Sequence, residues 1–375
     1  MSRRHWENCI THFDADADTF LREYFTDPAR KCLIVAGAGF DPRSSTISST
    51  LAGIMGSRLS AILFREERGE TDRDLRAAAD KNESLLKGLI RDIEIVPINI
   101  FADDGAPVGG MRIREYFQKQ RAKKDWLKGY TDVVLDLSAI SIGLSFPTAL
   151  ILLKYCEHLS DINFHLILAS NPALDGCISS EPDDQVRNVL GFSHLRQPSQ
   201  EGPLAGIWLP QLAPGKKSVL EAIRSNNPTL KKICPVLPFP ARDPREADNL
   251  ISEYCDILQD GWKVDTRDFI YVSERNPLDS YRTISELLRR YEKATKDYYV
   301  PNMILSPLGS KVMAVGALMA AIEHELTIQY IETLRYSFDA DKLAARSVDE
   351  TDSEIVHVWL AGPLYDGYGN NHDTI

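Results

Sequence analysis

The chain has 375 residues, 43% of them hydrophobic and 26% charged, with a formal net charge of -11 at pH 7. That length exceeds one ordinary core and, at roughly 100–200 residues per domain, implies two or three domains. The acidic balance excludes generic attraction to nucleic acid as the main mode of binding. The longest apolar run, Ala139 to Leu153, contains Pro147 and is too short to cross a bilayer.

The start, from Met1 to Asn8, lacks the apolar stretch of a signal peptide. The six cysteines are widely spread without a C-x-x-C pair, and the eight histidines show no metal-ligating spacing. A protein of the reducing cytoplasm, with no membrane partner, metal or cofactor, is the expectation.

In chain order, residues 1–30 read as a helical segment, because Phe13, Phe20, Leu21 and Tyr24 recur near helical spacing. The apolar run from Lys31 ends in Gly37-Ala38-Gly39, a buried strand closed by a tight turn. Asp41-Pro42-Arg43-Ser44-Ser45-Thr46 then opens a helix. Strands are expected over Leu59 to Phe64, Ile93 to Phe101, Asp132 to Ser138 and Phe164 to Ala169, with helices between them. The polar stretch 172–204 reads as an interdomain crossing or a flap. Further strands are expected over Ile233 to Phe239, Phe269 to Val272, Asn302 to Leu305, Leu326 to Ile331 and Ile355 to Leu360. Pro235 and Pro238 place the first of these near an edge or break it early. Residues 339–354 read as a polar linker or helix, and Gly367 to Ile375 as a tail.

Continuous apolar strands alternating with helices predict an α/β, Rossmann-like fold of mostly parallel sheets with helices on both faces. Two lobes are expected, 31–204 and 205–375. They carry short signals in the same order: Asp41-Pro42-Arg43 against Asp243-Pro244-Arg245, Arg65-Glu66-Glu67 against Ser273-Glu274-Arg275, and Asp136-Leu137-Ser138 against Ser306 to Lys311. Either a duplicated unit or the regularity of any βα chain accounts for them.

The Gly37/Gly39 turn lacks the third glycine of a dinucleotide fingerprint, since Pro42 stands there. What remains is a helix start rich in hydroxyls, with Arg43 and Ser44 as candidate anion contacts or as a plain cap. Ser306-Pro307-Leu308-Gly309-Ser310-Lys311 is the sharpest local signal: a glycine, a hydroxyl and a cation where a strand gives way to an apolar helix. Lysine in a first helical turn opposes the helix dipole, which favours a ligand there over a bare cap. Glu66, Glu274 and Asp136 follow strands as general acids or bases would, with Arg65 and Arg275 beside them; local ion pairing is the competing account.

The segment Asn302 to Ile331, through Gly309-Ser310-Lys311, resembles the Gly-Thr-Lys signature of CRISPR-associated Rossmann-fold sensor domains. The resemblance implies binding of cyclic oligonucleotides at strand ends, as a dimer, in prokaryotic defence or signalling. Two classes follow. One is a binding or sensing component for an anionic, nucleotide-like small molecule, with a protein partner or a second copy. The other is an enzyme hydrolysing or transferring on a nucleotide or sugar-phosphate.

Overall fold

The computed structural model describes residues 6–69, 72–123, 126–159, 161–194, 203–339 and 353–365. In chain order the first elements are β1 (Thr11–Phe13), α1 (Asp14–Thr26), β2 (Cys32–Gly37), α2 (Thr46–Met55), β3 (Leu59–Glu67), α3 (Arg73–Leu89), β4 (Asp92–Asn99) and α4 (Gly109–Ala122). Then come β5 (Asp132–Asp136), α5 (Ile142–Leu159), β6 (Asn163–Ser170), α6 (Pro172–Asp175) and β7 (Ile178–Asn188). The second half contributes β8 (Leu204–Pro210), α7 (Lys217–Ser225), β9 (Leu230–Ile233), β10 (Val236–Pro238), α8 (Glu246–Glu253), β11 (Ile270–Val272), α9 (Pro277–Thr295), β12 (Val300–Ser306), α10 (Lys311–His324), β13 (Thr327–Phe338) and β14 (Glu354–Ala361).

The chain divides into two compact units, one of Asn8–Glu181 and Thr333–Ile375, the other centred on Pro182–Glu332. The first holds a seven-stranded sheet in the order β1-β14-β6-β5-β2-β3-β4. Its five middle and far strands, β6 to β4, run parallel, while β14 and β1 are antiparallel additions. All six residues of β2 are buried, as a central strand covered on both faces requires. On one face Leu21 and Phe25 of α1 and Ile47, Leu51 and Met55 of α2 close the core over Ile34 and Leu63.

β14 therefore corrects the expected second lobe of 205–375, because its partner is β6, far back in the sequence. The stretch 172–204 also differs from expectation. It contains α6 and the eleven-residue β7, which is polar because its strand pairing, not an apolar face, sets it in the sheet beside β13. Most of the expected 339–354 linker, residues 195–202 and the tail lie outside the described residues.

The second unit has a five-stranded sheet, β7-β13-β12-β8-β9, and a parallel pair, β10-β11. Gln211, just past β8, bridges Val236 in parallel, so β9 and β10 are two pieces of one strand line broken at Cys234-Pro235. Proline has no N–H for the ladder, which is where the expected early break falls. Trp208, Leu220, Ile223, Leu237, Tyr254 and Ile304 fill its core.

With that strand line joined, β11-β10-β8-β12-β13 repeats β4-β3-β2-β5-β6, the doubly wound order 3-2-1-4-5. The halves thus share a topology, but two of the three motif pairings join non-equivalent strands. Asp41 follows the first strand of its unit and Asp243 the second; Glu66 lies near the end of the second strand, inside β3 and not after it as expected, and Glu274 follows the third. Only Asp136 and Ser306 end equivalent strands, β5 and β12. Among the described residues no helix is long and apolar enough to cross a membrane.

Candidate functional site

In a doubly wound sheet the connections leave in opposite directions on either side of the first strand, opening a crevice beyond the carboxyl ends. That switch point lies between β2 and β5 in the first unit and between β8 and β12 in the second. The two crevices are filled differently.

At the first, a Cβ on Gly37 would lie 2.8 Å from the Ala139 carbonyl oxygen, so this glycine admits the loop after β5. Gly39 has open space above it, and its carbonyl accepts from the Asn82 side-chain amide at 2.9 Å. Arg43 is fully buried. Its guanidinium donates to Asp41 at 3.0 and 2.7 Å and pairs with Asp175 at 2.7 Å. Burial opposes its charge, but the two carboxylates outweigh that and raise its pKa above the ordinary range. The Ser44 hydroxyl donates to the Gly39 carbonyl at 3.4 Å. Arg65 pairs with Glu67, Asp80 and Glu83 at 3.1, 2.6 and 2.9 Å.

The carboxylates are equally engaged. Glu66 accepts from the Ser141 backbone N–H at 2.7 Å and from Arg68 at 2.6 Å. Ser141 is the residue before α5, so Glu66 occupies the helix N-terminus where an external anion would sit. Asp136 accepts from the backbone N–H of Ser138 at 2.8 Å and from its hydroxyl. Each is an internal acceptor for a loop, and Glu66 also makes the local ion pair of the competing account, with Arg68.

The second crevice is built around α10, the topological equivalent of α5. Trp208 Nε1 donates to the Ser306 hydroxyl at 3.0 Å, and Gln211 N donates to the Ser306 carbonyl at 3.0 Å, tying the ends of β8 and β12 together. Ser310 caps α10 by accepting from Met313 N at 3.2 Å. Lys311 is the first helical residue, and the N–H groups of Lys311 and Val312 are ones the helix itself cannot satisfy. A Cβ on Gly309 would lie 3.2 Å from Gln211 Oε1, so glycine here allows Gln211 to reach the helix start. Gln211 is 2% exposed; its amide nitrogen donates to Met313 O at 3.2 Å, while Oε1 is buried without a hydrogen-bond partner among the described residues.

Sequence reasoning missed Gln211 and Lys216. Lys216 precedes α7 in the loop after β8, and burial lowers its pKa. The signal was present as Pro214-Gly215-Lys216-Lys217-Ser218, with Gly215 at φ 69°, but β8 before it went unread. Glu274 and Arg275 lie elsewhere, beyond β11, two strand lines from β8. Glu274 accepts from Arg242 N at 2.9 Å, and Arg275 N donates to the Ser273 hydroxyl at 3.2 Å.

No family model and no curated protein matches the chain. Among solved structures, one from Pseudomonas aeruginosa UCBPP-PA14 described as a universal stress protein aligns over 86% of this chain and 97% of that one. The identity is 10% and the TM-score 0.23, values that carry nothing about ligand or activity. By its own strand order, then, this is an α/β protein of two Rossmann-like units, with mostly parallel sheets flanked by helices.

Proposed function

We propose that the second unit binds an anionic, nucleotide-type small molecule at the start of α10, and that the protein is a sensing component of a prokaryotic defence or signalling system. One observation carries the reading. The two units have equivalent helices at their switch points, and α5 receives the protein's own Glu66 carboxylate, whereas α10 begins with Gly309-Ser310-Lys311 beside a buried Gln211 oxygen that has no hydrogen-bond partner among the described residues. A phosphate at that N-terminus gains from the dipole and from a charge-assisted contact to lysine. The Gln211 oxygen is an acceptor, suited to a hydroxyl or an amino group of the same ligand.

The resemblance of Gly309-Ser310-Lys311 to CRISPR-associated sensor domains is the reason to include cyclic oligonucleotides among the ligands tried. Against the enzymatic alternative stands the engagement of Glu66, Asp136 and Glu274 by backbone N–H groups, which leaves each with a local structural task. Titration calorimetry of the full chain with ATP, NAD and cyclic oligoadenylates, followed by mass spectrometry of the mixtures, separates the readings. Saturable binding with the ligand recovered intact is expected. Turnover that disappears in Glu66→Gln would replace the sensing reading with the enzymatic one.

A further inference from the structure

Away from both crevices, the sheet of the first unit carries a polar row running across four neighbouring strands. His12 on β1 lies opposite His357 on β14. Their Nδ1 atoms are 2.9 Å apart, and His357 Nε2 lies 3.0 Å from Nδ1 of His165 on β6. His165 Nε2 lies 3.2 Å from Asp132 on β5. His357, His165 and Asp132 are fully buried. Phe20 of α1 stacks on both His12 and His357 with centroids 4.3 Å away, and Trp359 packs on His165 at 4.7 Å. Because His357 uses opposite nitrogens for its two neighbours, the rings form a line and do not converge on a point as metal ligands would.

Asp132 fixes the direction of this line. Tyr24 donates to it at 2.8 Å, Asn163 at 3.2 Å and Thr131 at 2.5 Å, with Arg30 at 3.6 Å. Burial alone would push the carboxyl up, but these donors and His165 outweigh it and lower its pKa. An ionised carboxylate only accepts, so His165 donates through Nε2 and accepts at Nδ1. His357 must then donate through Nε2 and accept at Nδ1, and His12 must donate through Nδ1. Three neutral rings satisfy every bond in one direction only. The other groups facing the row are Asp16 and Tyr24 from α1, Arg30 just beyond it, and Cys32 from β2.

A proton arriving at His12 Nε2 can pass inward without net loss of a hydrogen bond. His12 gives its Nδ1 proton to His357 Nδ1, and His357 gives its Nε2 proton to His165 Nδ1. His165 becomes the imidazolium against Asp132, and each joint is kept with its direction reversed. A second proton held on the rings has no such solution, because two N–H groups would then face each other at one joint.

We propose that His12, His357, His165 and Asp132 form a proton relay and acid-sensitive latch, which takes one proton from the sheet edge to the buried carboxylate and releases β1, α1 and β14 on the second. The sign agrees with burial. Desolvation is the largest influence on all three histidines and lowers each below the ordinary 6.5, His357 well below it. The folded chain thus binds fewer protons than the unfolded one, so the stability these groups contribute is present above 6.5 and lost as pH falls through their folded values.

The test uses the full chain labelled with 15N-histidine. At about pH 7.5, nitrogen shifts should show His165 and His357 protonated at Nε2 and His12 at Nδ1; at about pH 5.5 His357 should switch to Nδ1. Hydrogen exchange should accelerate by ~10-fold or more in acid in segments 11–26 and 354–361, after correction for intrinsic rates. In His12→Phe, which keeps an aromatic ring on Phe20 but removes the entry, the His357 switch should disappear and the acid response should fall below ~2-fold. His12 protonated at Nε2 at neutral pH, or His357 unchanged in acid, overturns the relay on the unmutated protein. Equal acid acceleration in the parent and in His12→Phe overturns the latch.

Discussion

Lys311 sits where an α-helix is already positive, so its charge opposes the dipole by a few tenths of a kcal/mol. Lys311→Ala should therefore leave the melting temperature unchanged or slightly higher. Loss of a charge-assisted phosphate contact should weaken ATP binding by roughly 1.5–3 kcal/mol, about ten- to a hundredfold. Unchanged affinity for ATP and cyclic oligoadenylate in a well-folded Lys311→Ala protein would reduce the turn to a plain helix start. The residue scale is also where sequence reading was weakest. Gly37 and Gly309 were identifiable as positions needing glycine, yet what approaches each is protein, the Ala139 carbonyl and Gln211. Arg43 read as an anion contact because sequence shows its charge; of the two carboxylates that answer it, Asp41 is close in sequence and reads as a cap, and Asp175 lies far along the chain.

Two glycines in helices set the size of packing effects. A Cβ on Gly316 in α10 would lie 2.2 Å from the Pro277 carbonyl and 2.6 Å from Ser280 Cβ of α9, backbone and buried side chain that cannot swing away. Gly53 in α2 is exposed with nothing within 4 Å. Gly316→Ala should destabilise by about 1–3 kcal/mol or more through overpacking, while Gly53→Ala should stabilise by about 0.5–1 kcal/mol through backbone entropy. Denaturant titration of both decides; equal small effects would mean that α9 and α10 are not so closely packed. At the N-terminus of α5, Glu66→Gln should cost about 1–3 kcal/mol, since it weakens an acceptor at a helix start and removes the carboxylate paired with the buried Arg68, which keeps its bond to the Thr333 carbonyl. It should leave ATP affinity unaltered by calorimetry, a result an acid–base role in turnover does not require.

The same scale explains what was legible. β2, β3, β5, β6 and β12 are near-continuous apolar runs because both their faces are covered, and periodicity finds such strands. β7 escaped because its residues are mostly polar and half or fully exposed, its place set by pairing. β8 escaped because Gly206 and Pro210 interrupt its apolar run. Missing β8 moved the Asp243 and Glu274 motifs one strand along, so two of the three pairings of the apparent repeat matched the wrong loops although the topology does repeat. The histidine row was invisible for a related reason: no local spacing links His12, His165 and His357, and only pairing across β1, β14 and β6 brings them together.

Over the whole molecule, the chain leaves the first unit after Glu181 and re-enters at Thr333, so the body of the second unit, Pro182–Glu332, interrupts the first in sequence, and Trp6 and Glu7, near the start, belong with it. Local patterns predict α/β units well but cannot announce that β14 returns to β6, since that pairing spans about half the sequence. The arrangement makes the location of the ligand site measurable. A ligand that binds only the folded form of one unit stabilises that unit by RT ln(1 + [L]/Kd), about 2.7 kcal/mol at a hundredfold excess over Kd. If the site is at the start of α10, saturating ATP or cyclic oligoadenylate should slow amide exchange in segment 300–324 and along β8, by up to ~100-fold where exchange needs the unit to open. Segments 32–37 and 132–159, which hold the first switch point, should exchange at their ligand-free rates. The contrast is expected because Glu66 already supplies the negative charge at α5 that a phosphate would bring. Protection confined to 32–37 and 132–159 would move the ligand to the first crevice, with Glu66 displaced or recruited to bind it. It would also remove the distinction between the two helix starts on which the sensing assignment rests.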